Sequence, residues 1–300
     1  MATNNLAKKT ARIRTVKTVV RWCFYIVAAV FFFFPFYYML TRSVMTVEQS
    51  AARPIKLIPT EFTSEWWRTV FSGGEDASGG SVSYMHSLFN TMKIVLFNII
   101  AVPLASSFVA FGFAKCEFTG KKVLFAIMLS TIMLPGTIVQ VPLYMLFGKL
   151  HILNTYWPLL LPNLFGGGAI NIFLIRQFMM GIPKELDEAA EIDGAGYLRR
   201  YFQITLPNCT AVLIFIVVNV FVGNWGDYYG PMIYMSIADE SQFTLAYSVF
   251  LRFQKSAVPL PGDEGMRSAV GVLMALPPLI LFFCFQRYMI EGVVMSGIKG

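Results

Sequence analysis

Long apolar runs alternate with short charged segments along the chain. Six stretches free of Asp, Glu, Lys and Arg stand out: Trp22–Leu40, Ile94–Ala114, Val123–Gly148, Ile152–Ile175, Tyr201–Gly226 and Ser268–Gln286. A helix crossing the hydrocarbon core of a bilayer needs about 20 mainly apolar residues, and each run meets that length. The pattern therefore predicts an all-α, polytopic membrane protein with six transmembrane helices. Pro135 and Pro142 fall inside the third run, which should be kinked or partly unwound, as spanning helices tolerate when neighbours satisfy the freed backbone groups. The fourth run carries Pro158, Pro162 and Gly166-Gly167-Gly168, a composition that favours an irregular helix or close packing over solute contact.

Charge placement orients the spans. With both ends on one side, the segments on that side hold fifteen Lys and Arg and the opposite segments hold eight, leaving out Lys93 at a span edge. Cytoplasmic loops carry the cationic excess, so both termini are expected in the cytoplasm. The tail of residues 1–21 contains Lys8, Lys9, Arg12, Arg14, Lys17 and Arg21 directly before the first span, where anionic headgroups attract cations. Nucleic acid is a poor partner for that tail, which has neither interleaved aromatics nor a domain to hold them. No small-residue cleavage pattern follows the first run, which is read as a retained span. The expected organisation is this tail, a transmembrane domain over 22–290 with its core at 88–290, and a short cytoplasmic tail at 291–300. Two outer segments are substantial, Thr41–Ser87 with a Gly/Ser-rich stretch, and Ser236–Arg267 with Pro259, Pro261 and Gly262. Within the first, the amphipathic patch Phe62–Phe71 suits a membrane surface.

Composition supports lipid as the solvent. The chain has 300 residues, 56% hydrophobic and 14% charged, with 28 Phe; a soluble domain carries about 25% charged residues. Its four cysteines are scattered and its histidines number two, which leaves no metal-ligand spacing and no metal site. There is no Ser/His/Asp set or paired carboxylate in the spans, so no catalytic residue is assigned. The triplet Asn208-Cys209-Thr210 at a cytoplasmic edge is a chance sequon.

The loop at 181–207 is the most informative segment. Pro183 fits the first position of a helix, where its missing N–H costs little. Glu185, Asp187 and Glu188 suit the positive end of the helix dipole. Leu186, Ala189, Ala190 and, at its edge, Ile192 give a narrow apolar face with small residues, and Gly194 fits a helix stop. A second helix follows, with Tyr197, Leu198, Tyr201 and Phe202 apolar, and Pro207 is expected to end it. Small residues permit close approach by another backbone, which suits a knob entering a partner's cleft. An amphipathic cover over the end of the bundle has the same features.

Glu188-Ala189-Ala190, Asp193-Gly194-Ala195 and Ile204, Leu206 and Pro207 at fixed offsets resemble the EAA loop of permease subunits of ABC importers. The similarity extends along most of the chain and is nearest to the maltose-type, carbohydrate-uptake permeases. Asn90-Thr91, Leu134-Pro135, Leu153-Asn154-Thr155, Ile182-Pro183, Asn224-Trp225, Pro231, Thr244-Leu245 and Gly297-Ile298-Lys299-Gly300 carry it. The resemblance implies a type I importer bundle in a bacterial cell membrane, with the loop as a coupling helix. Glu188, Ala189, Ala190, Asp193 and Gly194 would be its ATPase-coupling residues. Implied partners are an ABC ATPase dimer that holds ATP and Mg, a second permease in a heterodimer, an extracytoplasmic solute-binding protein and a carbohydrate. No P-loop lies in this chain, so it is not expected to bind ATP or act as an enzyme by itself.

Intramembrane polar groups usually face a cavity or a partner helix. Asn219, Asn224, Trp225, Asp227, Tyr228 and Tyr229 form the candidate substrate path, because amides and a carboxylate pair with hydroxyls and rings stack on sugars. The same residue types serve as interfacial anchors and helix glue. Gly226 and Asp227 depart from the family's usual Asn and acid after the tryptophan. An ion-gradient-driven secondary transporter is the alternative reading, and the scarcity of ionisable residues in the spans counts against it.

Overall fold

Backbone groups in hydrocarbon find no water, so apolar runs of this length must satisfy their hydrogen bonds internally, as helices. A computed structural model of the chain describes residues 2–52, 54–75, 81–82, 84–254 and 263–297. Among them, four helices are long and apolar enough to cross a membrane: Arg14–Arg42, Tyr84–Lys115, Trp157–Met180 and Glu264–Tyr288. Two bent pairs, Lys121–Thr131 with Gly136–Lys149 and Tyr197–Asn208 with Thr210–Trp225, bring the number to six if each is one span. The only strands among the described residues are the two-residue β1 (Gly74–Glu75) and β2 (Ser81–Val82), paired antiparallel. The fold is all-α. Pro259, Pro261, Gly262, residues 76–80 and 83 of the Gly/Ser-rich stretch, and residues 298–300 lie outside the described residues.

Helix α1 (Ala2–Arg42) is exposed along its apolar length and leans on the last helix. Two short helices follow, α2 (Val47–Ala51) and α3 (Glu65–Ser72). Part of the apolar face of α3 turns into the bundle: Val70 is buried, and Trp66 and Trp67 pack against the cluster that holds Val70 and Met266, while Phe62 and Phe71 stay exposed. Trp66 Nε1 donates to the Met45 carbonyl at 2.8 Å and Trp67 Nε1 to Ser43 Oγ at 3.3 Å. Indole N–H groups need a partner once buried, and the segment just after α1 supplies them.

Helix α4 (Tyr84–Lys115) is the central element, packed on α7 (Trp157–Leu164), α8 (Ala169–Met180) and α12 (Thr210–Trp225). It begins ten residues before the charge-free run because Lys93 interrupts the run without interrupting the helix. The Lys93 ammonium reaches Asn90 Oδ1 at 3.3 Å on the exposed side. Pro103 is buried within α4. The third run is two helices, α5 (Lys121–Thr131) and α6 (Gly136–Lys149), bent by 100°. Pro135 stands at the break with extended ψ, and Pro142 is absorbed inside α6. The fourth run breaks between α7 and α8 at Phe165–Gly168. Gly166, Gly167 and Gly168 all have positive φ there, and a Cβ on Gly167 would stand 2.7 Å from the Val102 carbonyl. The glycines thus make a break and a close helix approach at once.

The elements of the loop at 181–207 are α9 (Lys184–Ile192), α10 (Tyr197–Arg200), a π turn (Tyr201–Thr205) and α11 (Leu206–Asn208). After α12 come α13 (Tyr229–Tyr234), a 3₁₀ turn (Glu240–Gln242), α14 (Leu245–Gln254) and α15 (Asp263–Gly297). One core joins α4, α8 and α12 around Ala110, Ile175 and Ile216. A second joins α3, α4, α12 and α15 around Val95, Trp225 and Val270.

Candidate functional site

The loop at 181–207 folds into the helix, turn and helix that its sequence implied, with two differences. Pro183 is the N-cap of α9 rather than its first helical residue: its ψ is 135° and its carbonyl accepts from the Leu186 N–H. The residue that lacks an N–H thus contributes through its C=O, as an N-cap does. At the other end, the Ala195 N–H donates to the Ala190 carbonyl at 2.9 Å and the Gly194 N–H to the Glu191 carbonyl at 3.0 Å. These two bonds form a Schellman cap, which demands the left-handed backbone that Gly194 adopts at φ +76°. The second difference concerns Pro207, which does not end the following helix. The chain stays helical through the π turn to Asn208 and bends by 77° into α12 at Cys209. A π turn widens the hydrogen-bond ladder and accommodates a residue that donates no N–H.

Helix α9 presents much of its surface outward. Glu188, Ala189, Asp193 and Gly194 are exposed and Ala190 is half-buried. Ile192 is 87% exposed, and Leu186, Tyr197, Leu198 and Phe202 extend an apolar surface beside it. Of the four apolar residues expected on the second helix, only Tyr201 turns inward, where its hydroxyl meets Ser107 Oγ at 2.7 Å. The space around Gly194 is open.

At the other end of the bundle, a cavity of about 160 Å³ is lined by Thr91, Ile94, Leu159, Asn163, Asn224, Asp227, Pro231 and Thr244. Four helical segments build it. Asn98 of α4 lies beneath and joins two of them: its amide donates to Asn224 Oδ1 at 2.6 Å and accepts from Asn163 Nδ2 at 3.0 Å. Asp227 caps α13, accepting from the Tyr229 and Gly230 N–H groups at 3.0 and 2.9 Å. Asn90 holds the wall behind Thr244 through the Ser241 and Phe243 carbonyls at 2.6 and 3.2 Å. Among the described lining residues, hydroxyls and amides surround one carboxylate, a set suited to hydrogen-bonding a polar solute.

The structure brings only part of the expected path together. Asn224 and Asp227 line the cavity. Asn219 does not: it is exposed on α12 and donates to the Phe215 carbonyl of its own helix at 2.8 Å. Trp225 is buried between α12 and α15, its Nε1 donating to the Met274 carbonyl at 2.8 Å, so it serves packing. Tyr228 stacks on Phe250 at 4.6 Å and Tyr229 is exposed beside the cap. Thr91, Asn98, Asn163 and Thr244 went unrecognised. Asn98 and Asn163 carried a usable signal, being amides inside apolar runs; Thr91 and Thr244 stood out in the sequence only through the family resemblance, which does not mark them as lining.

Comparisons agree with this architecture. The family described as "Binding-protein-dependent transport system inner membrane component" matches residues 101–294. The galactooligosaccharides transport system permease protein GanQ of Bacillus subtilis is 30% identical over 245 residues, 81% of this chain and 83% of that protein. The arabinooligosaccharides transport system permease protein AraQ of Halalkalibacterium halodurans is 30% identical over 211 residues, 70% of this chain and 73% of that protein. The sn-glycerol-3-phosphate transport system permease protein UgpE of Brucella melitensis is 28% identical over 281 residues, 94% of this chain and 97% of that protein. In fold, a crystal structure of a bacterial ABC transporter involved in the import of the acidic polysaccharide alginate superposes with TM-score 0.78. The match has 19% identity and covers 91% of this chain and 96% of that one. With the matched family spanning the second half of α4, the loop at 181–207 and most of α15, the chain belongs to the binding-protein-dependent transport system inner membrane components, as a multi-pass permease subunit of an ABC importer.

Proposed function

We propose that this subunit forms half of the path for a sugar or oligosaccharide across a bacterial cell membrane, with both termini in the cytoplasm. Helix α9 docks in a cleft of a separate ATPase, which binds ATP and Mg, while a second permease completes the path and an extracytoplasmic binding protein delivers the solute. The observation that carries the docking role is the outward face of α9: Leu186, Glu188, Ala189 and Ile192 stand exposed at the end of the bundle. Exposed apolar surface of this kind marks an interaction site. The cavity between Thr91 and Asp227 supports a hydroxyl-rich solute. The oligosaccharide systems among its relatives point the same way. Coupling requires that α9 contact the ATPase differently in its open and closed states.

Purification of the tagged subunit from its native membrane tests this reading. An ATPase and a second permease should copurify, and transport in proteoliposomes should require ATP. Gly194→Asp should insert normally but detach or uncouple the ATPase, since the new carboxylate projects into open space where the partner approaches. Transport driven by a proton or sodium gradient without ATP hydrolysis would overturn the proposal.

A further inference from the structure

A helix that receives force must pass it on through whatever ties it to the rest of the molecule. Among the described residues, α9 forms no extensive backbone packing with any other element. Besides its covalent ends, a few side chains hold it. Arg200 joins Glu191 at 2.9 Å, which links α9 only to the next turn of the same loop. The other tie leaves the loop: Asp187 Oδ2 meets the Lys115 ammonium at 2.6 Å, and both side chains are largely buried. Lys115 is the last residue of α4. Asp187 Oδ1 is buried without a hydrogen-bond partner, so the lysine is the carboxylate's principal anchor.

A second tie lies deeper. Tyr201, in the π turn, shares a hydrogen bond with Ser107 of α4 at 2.7 Å. Its ring stands edge-on to Phe108 and Phe111 of the same helix, at 5.6 and 5.3 Å. Both ties from the loop therefore converge on the cytoplasmic half of α4. The opposite half of that helix carries Thr91 in the cavity wall and Asn98 beneath it, bonded to α7 and α12. Lys115 and Asn98 are roughly 25 Å apart along the helix axis.

We infer that α4 is the rod connecting α9 to the solute cavity, with Lys115–Asp187 and Ser107–Tyr201 as its two joints. Displacement of α9 moves the Lys115 end of α4, and the same helix shifts Asn98 against Asn224 and Asn163, altering the cavity. Lys115, Asp187, Ser107 and Tyr201 are positioning residues: they touch neither solute nor nucleotide. This inference rests on the docking role of α9 proposed above.

The test uses the intact transporter in proteoliposomes and compares solute moved per ATP hydrolysed for Asp187→Asn, Lys115→Met and the double swap Lys115→Asp/Asp187→Lys. The ATPase should still copurify with all three. Transport per ATP should fall by about tenfold in each single variant, a change within the range of ordinary coupling free energies, and should recover in the swap. Single variants that retain the ATPase and transport as the wild type does would overturn the inference, as would a swap that shows no recovery. If the single variants fail to accumulate, Tyr201→Phe decides. It removes one hydroxyl from the second joint and keeps the ring contacts. A drop in transport per ATP with the ATPase still bound supports the rod, and an unchanged ratio overturns it. Absence of a copurifying ATPase from the wild-type subunit would instead strike at the docking role.

Discussion

The Asn98 amide nitrogen lies 2.6 Å from Asn224 Oδ1, so the central helix α4 and helix α12 are joined by a side-chain hydrogen bond at the floor of the cavity lined by Thr91 and Asp227. Asn98 also donates to the Leu159 carbonyl at 3.3 Å and accepts from Asn163. One fully buried side chain thus ties three helical segments together. Amides in such a place have no water to turn to, and that fixes them on one another.

Asn98→Ala should loosen this floor. Interhelical hydrogen bonds in membranes contribute about 0.6 kcal/mol on average, so losing three should destabilise the subunit by about 1–2 kcal/mol. Thermal inactivation of the complex in nanodiscs would measure it. A midpoint identical to the wild type would show that the amide cluster carries no stability.

Two glycines separate packing from conformation. Both Gly167 and Gly194 have positive φ, which costs a residue with a Cβ about 1–2 kcal/mol. At Gly167 the Cβ would also press on the Val102 carbonyl, whereas at Gly194 nothing lies nearby. Gly167→Ala should therefore destabilise the fold by about 1–3 kcal/mol more than Gly194→Ala, the usual cost of overpacking. Membrane accumulation and thermal midpoints of the two variants check the order.

Asp227 combines two roles that substitution can separate. Its Oδ1 caps α13, and its carboxylate is the charged group among the described lining residues of the cavity. Asp227→Asn keeps an acceptor for the Tyr229 and Gly230 N–H groups and should hold stability near the wild type. Asp227→Ala should lose about 1 kcal/mol with the cap. Both should reduce solute-stimulated ATPase activity. Full activity in the Ala variant would remove Asp227 from the path.

The turn at 239–242 should respond to acid. The Asp239 carboxylate accepts from the Ser241 N–H at 2.8 Å, and this backbone bond, reinforced by the Ser241 side chain, holds its carboxyl below the usual carboxylate range. A depressed folded-state pKa means the stabilisation is complete above the ordinary Asp range and fades as pH falls through the lower folded value. Hydrogen exchange at the Ser241 amide should lose protection on acidification, and Asp239→Asn should flatten that dependence.

The sequence by itself determined the apolar helices and the helix, turn and helix of the loop at 181–207. Apolar runs long enough to cross a bilayer must become helices, and the caps of α9 are local: Pro183 before it, acids in its first turns and Gly194 after it. Local rules misjudged what neighbours control. Pro207 looked like a stop, but the π turn before it carries the helix on to Asn208. Trp225 looked like a sugar platform, but α15 offers its indole a carbonyl at Met274. The cavity and the joints of α4 belong to tertiary structure alone. Asn98, Asn163 and Asn224, or Lys115 and Asp187, stand far apart in the chain, and periodicity says which helix a residue occupies but not which distant residue meets it. Only the packing of α4 against α7, α8 and α12 decides that, because a buried amide or charge must take whatever partner the fold brings within reach.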